Sequence, residues 1–140
     1  MSRTLKHIRT ENIDKIYRIF NKIMNRLPAT FPRVALVVHT NLEDLQKYYT
    51  DTQGEEPEED LPFAFCDGET YTVHVHLTMN DETLSDITWY FLHELGHLYA
   101  HCRYGEHDRR WTDYRTAESY ANRFANRWVK KLKEEGKIRL

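Results

Sequence analysis

A chain of 140 residues with 40% hydrophobic and 13% aromatic content can bury one modest core, which predicts a single domain over residues 1–140. The formal net charge of −2 gives no global reason to expect a nucleic-acid partner, and two cysteines, Cys66 and Cys102, are too few for a disulfide framework. No apolar run is long enough to cross a bilayer and Met1-Ser2-Arg3-Thr4 opens no secretory apolar core, so the sequence predicts a cytoplasmic protein without a membrane partner.

The first predicted element is an amphipathic helix whose apolar stripe is Ile13, Ile16, Tyr17, Phe20, Ile23, Met24 and Leu27, stopped by Pro28. Val34 to His39 is β-branched and apolar and predicts a strand, after which Asn41 caps a short helix through about Tyr49. The run Gly54-Glu55-Glu56-Pro57-Glu58-Glu59-Asp60 reads as a solvated acidic loop.

Asp67-Gly68 between Phe63-Ala64-Phe65-Cys66 and Tyr71 to Leu77 predicts a β-hairpin. Its second strand alternates, with Tyr71, Val73, Val75 and Leu77 on one face and Thr72, His74, His76 and Thr78 on the other. The paired histidines have possible ligand spacing, but the pattern favours exposed cross-strand polar positions. Both cysteines read as reduced and buried, with a thiolate of Cys66 capping a metal as the minor alternative.

The chemistry concentrates in Phe91-Leu92-His93-Glu94-Leu95-Gly96-His97. On an α-helix His93 and His97 share a face and can close on one ion. Glu94 lies about 100° further round, within reach of a water beside that ion, as a general base must be. Ile87, Phe91, Leu95, Leu98 and Cys102 form the opposite apolar stripe, and Thr83 with Asp86 resembles a capping box at the helix start.

Two side chains compete as third ligand once His101, about 12 Å along the axis from His93, is set aside. Glu118 opens a second helical run and has Asn122 one turn later, able to orient an imidazole. His107 lies in the loop Gly105 to Trp111, where it could instead donate to an oxyanion, as Tyr114 or Tyr120 could. A ligand on a packed helix needs less ordering than one on a glycine-containing loop, which favours Glu118.

The pattern His93-Glu94-Leu95-Gly96-His97 followed by Glu118-x-x-Ala121-Asn122-x-Phe124-Ala125 resembles the gluzincin pattern of ImmA/IrrE-type metallopeptidases and minigluzincins. The resemblance covers residues 84 to 128 and implies zinc held by His93, His97 and Glu118, Glu94 as catalytic base and Asn122 behind the ligands. The chain departs from ImmA/IrrE types in continuing Trp128-Val129-Lys130-Lys131-Leu132-Lys133. Ala100 and Arg103 depart from the metzincin motif. Tyr17-x-x-Phe20-Asn21, Leu27-Pro28 and His107-x-x-x-Trp111 are similar to segments of SprT-like proteases, which would make His107 the third ligand.

These readings predict an α+β, zincin-like single domain: a small sheet, a metal-binding helix packed on it, and a C-terminal helix carrying the third ligand. The expected function is zinc-dependent hydrolysis of a peptide or protein substrate, held in extended form against a sheet edge that the hairpin could supply. The alternatives are a silent zinc-bound regulatory module and a SprT-like DNA-associated protease. The recurring Arg and Lys of the last segment read as a solvated helical face.

Overall fold

A computed structural model describes residues 2–53 and 64–136. The acidic loop 54–60 and Phe63 lie outside the described residues, as does the side chain of Ile13. The chain is α+β. Helix α1 spans Ser2–Arg26, strand β1 Ala35–His39, helix α2 Leu42–Gln53, and strands β2 and β3 Ala64–Asp67 and Thr72–His76. A 3-10 turn at Leu77–Asp81 leads into α3, Leu84–Tyr104; the short α4, Arg109–Thr112, and the long α5, Tyr114–Glu134, follow.

The sheet has the order β1-β3-β2, with β1 parallel and β2 antiparallel to β3. One face carries Val73, Val75 and Cys66 into the principal core, where they meet Ile16, Phe20, Ile23 and Leu27 of α1 and Ile87, Phe91, Leu95 and Leu98 of α3. The three- and four-residue spacing of both helical stripes therefore buries the predicted sides. On the other face α2 brings the fully buried Leu45 and sets Tyr49 edge-on to Phe65.

Local chemistry sets the element ends. Asn41 Oδ1 accepts from Glu43 N at 2.7 Å ahead of α2, which runs one turn beyond the predicted Tyr49. Thr83 accepts from Asp86 N at the start of α3, and Asp113 accepts from Thr116 N and Oγ1 at the start of α5. The β2–β3 turn is wider than Asp67-Gly68 suggests: Asp67 accepts from Glu69 N and Thr70 Oγ1, and Tyr71 takes φ 50°. Gly68 is required there because Trp111 packs on it so closely that a Cβ would meet the indole at 2.5 Å.

Two expectations need correction. Thr72, His74 and His76 are buried, because β3 is the central strand and α2 with Phe65 covers that face; only Thr78 is exposed. Within the hairpin the central β3 has no free edge, and among the described residues β2, packed beside α3, is the hairpin strand that has one. Cys102 is exposed, because the last turn of α3 carries an exposed run from Cys102 to Tyr104 outside the core to which Leu98 still belongs.

Candidate metal centre

The site begins with a close helix approach. Helices α3 and α5 pack along Ala117, Ala121 and Ala125, all buried, and Gly96 sits where a Cβ would stand 3.0 Å from that of Phe124. Small residues on both surfaces let the axes come near enough for a short carboxylate on α5 to reach imidazoles on α3. Gly96 lies inside the His-Glu-Leu-Gly-His motif, so the motif's own spacer creates the contact that delivers Glu118.

His93, His97 and Glu118 converge. The two imidazole Nε2 atoms lie 3.2 Å apart, Glu118 Oε2 lies 3.2 Å from His93 Nε2, and Oε1 lies 3.2 Å from His97 Nε2. Among the described residues this is the one group of three His, Cys, Asp or Glu side chains close enough to hold a metal ion together. Donors about 2.0–2.1 Å from a tetrahedral zinc stand about 3.3 Å apart, close to the separations of these side chains. Two imidazole nitrogens and a carboxylate are also the donor set of a zinc site that keeps one position open.

The electrostatics fit a cation site. Glu118's carboxyl is held well below the usual carboxylate range, chiefly by hydrogen bonding with His93 and then His97. Burial opposes charge on His93, but hydrogen bonding to Glu118 and the charges of Glu94 and Glu118 outweigh it, so its pKa is raised. Asn122 comes near enough to favour the protonated ring, as expected of an outer partner, yet buried Nδ1 of His93 has no well-formed hydrogen bond. Three electron-pair donors facing one another gain most from a shared positive charge at their centre.

Glu94 is buried beside this group. Burial raises its carboxyl pKa, and the neighbouring His97 and His93 pull it back. The thiol of Cys66, on β2, comes near enough to Glu94 to favour its carboxylate, and its own pKa is pushed up by burial and then by the Glu94 charge. Cys66 is therefore a neighbour of Glu94 and lies outside the group that could hold an ion. That contact sets β2, an edge strand among the described residues, alongside Glu94.

The other sequence candidates stand elsewhere. His107 has a side chain that is 94% exposed and pairs with Glu106 at 3.5 Å. His101 bonds Tyr71 Oη through Nδ1 at 2.6 Å and meets Trp111 edge-on. Tyr114 projects into solvent. Tyr120 is pushed up to about 12 by burial and by Tyr104, against which it packs.

Two residues escape a reading centred on the motif. Trp89 stacks on His93 with ring centroids 5.1 Å apart and planes at 22°, and its Nε1 donates to Asn126 Oδ1 at 2.8 Å. Trp89, His93 and His97 on α3 thus run antiparallel to Asn126, Asn122 and Glu118 on α5, each set at four-residue steps. Trp89 one turn before His93 and Asn126 one turn after Asn122 were visible as spacings; their pairing across helices was not.

No family model matches this chain, and neither the curated proteins nor the solved structures contain a match to it.

Proposed function

We propose that this chain is a zinc-dependent metallopeptidase of gluzincin type on a zincin-like scaffold, with His93, His97 and Glu118 as metal ligands and Glu94 as general base. The observation that carries the reading is the convergence of two imidazole Nε2 atoms 3.2 Å apart, each 3.2 Å from one oxygen of the Glu118 carboxylate, with a buried carboxylate next to them. A zinc ion, when bound, lowers the pKa of a water towards neutrality and polarises a substrate carbonyl.

The chain's own residues supply the remainder. Glu94 takes the proton of the attacking water and passes it to the leaving amine, a role suited to a carboxylate whose pKa burial has raised toward neutrality. Cys66 packs its thiol beside that carboxylate. Trp89 and Asn126 fix the plane of His93. Among the described residues nothing pairs with the outer edge of β2, and an extended peptide added there would lie beside Glu94 through main-chain hydrogen bonds.

The SprT-like alternative needs His107 among the ligands, which its solvent-facing side chain does not favour. Glu94→Gln tests the mechanism because the amide keeps the shape and removes the base. On a peptide library cleaved by the parent protein, the variant should retain zinc and lose at least about a hundredfold in rate. Equal turnover by the two proteins would refute the assigned role.

A further inference from the structure

A second feature lies away from the metal centre, where α1 faces the start of α3. An open groove of about 850 Å³ runs along α1, past Gly136 just after α5, and is rimmed by Lys15, Arg18, Lys22 and Arg26, with no acidic residue in its lining among the described residues. Among the described residues none of these four cations is in an ion pair. Spaced by three, four and four residues, they form a stripe about 16 Å long. The chain as a whole carries a net charge of −2, so this stripe opposes the global charge rather than following it.

The floor is of different chemistry. Ile19 is half-buried, Leu84 is one of the few large apolar side chains left exposed, and the buried Thr88 spends its hydroxyl on Leu84 O at 2.7 Å. Among the described residues none of the lining is aromatic. A single-stranded nucleic acid asks for aromatic faces on which bases stack, and phosphates alone have no use for an apolar floor. An amphipathic helix answers both parts: apolar side chains settle on Ile19 and Leu84 while carboxylates at three- and four-residue spacing meet the cationic stripe. A helix is about 10–12 Å across, so two or three turns lying partly sunk suit a groove of this size.

We propose that this groove docks an acidic amphipathic helix of a partner protein, by charge complementarity along α1 and apolar contact at Leu84. The site stands apart from the metal centre and does not depend on hydrolysis. Surface charge of this kind steers encounter and gives salt-sensitive affinity.

The test uses the full chain and a fluorescent helical peptide whose glutamates repeat every three or four residues beside a leucine stripe. A copy with glutamine for glutamate and a single-stranded oligonucleotide provide the other arms. Anisotropy should show saturable binding of the glutamate peptide that weakens as salt rises. Arg18→Glu with Lys22→Glu should weaken it at least about tenfold, Arg18→Gln with Lys22→Gln less, and Leu84→Asp several-fold. Arg123→Glu with Arg127→Glu, on α5, should leave it unchanged. All three positions on α1 and α3 are exposed, and circular dichroism checks that each variant keeps its helix content. Equal binding of the glutamine peptide, indifference to both α1 variants, or an oligonucleotide that binds this stripe more tightly than the peptide would each overturn the proposal.

Discussion

The molecule holds two groups of histidines that use the same side chain to opposite ends. On the sheet, His39 Nε2 and His74 Nδ1 lie 2.9 Å apart, His74 stacks on Phe65, and His76 bonds Thr78 through Nδ1. Burial, with the neighbouring His39, lowers the His74 pKa to about 4, and that of His76 falls for the same reasons. On α3, His93 feels burial too, yet two carboxylates outweigh it. Where nearby anions outnumber cations an imidazole surface collects positive charge, and where a second imidazole and aromatic rings surround it the ring stays neutral and serves packing.

The largest effect that would break this contrast comes from the helix approach, since Glu118 reaches the imidazoles only because Gly96 lets α5 close in. Gly96→Val should destabilise the fold by about 3 kcal/mol through overpacking against Phe124 and separate Glu118 from both histidines. Chemical denaturation and zinc titration of the same sample would then show stability and metal affinity falling together, while a stable variant with parental affinity would discount the close approach.

The sheet group makes a claim about pH. With the folded pKa of His74 near 4 and the unfolded value near 6.5, the unfolded chain binds the extra proton first. The contribution is therefore present above about pH 6.5 and is lost as pH falls toward 4, amounting to roughly 3 kcal/mol. His74→Gln should flatten that part of the stability profile measured by urea unfolding across the window. An unchanged slope in the variant would assign the acid sensitivity to other groups.

Smaller still is the effect at the aromatic support of His93. Trp89→Ala should weaken zinc binding about tenfold, with Trp89→Phe recovering much of it by keeping the stack. If Phe and Ala behave alike in chelator competition, the hydrogen bond to Asn126 matters more than ring contact.

What could be read from sequence follows the range of each interaction. His93, Glu94 and His97 are related by one helical turn, and Glu118 with Asn122 by another, so the local rule of three and four residues found both halves. The same rule found the buried stripes of α1 and α3. Alternation along β3 separated its two faces, but whether the polar face was wet depended on α2, remote in sequence, and the histidines were assigned to the wrong environment. Cys102 fits the helical stripe by spacing and fails at the level of packing, because its turn runs past the core. Trp89, Asn126 and Gly96 act across the α3–α5 seam, a register that neither helix encodes alone.

The central claim is that metal binding belongs to the α3–α5 group and not to the sheet histidines or the loop. Elemental analysis of purified chains, paired with chelator competition, addresses it directly. The parent should carry one zinc per chain, His93→Ala with His97→Ala none, and Glu118→Ala should lose affinity heavily, whereas His107→Ala and His39→Leu keep the parental stoichiometry. Full zinc in the His93→Ala, His97→Ala variant, or loss of zinc from His107→Ala with Glu118→Ala unaffected, would contradict the account.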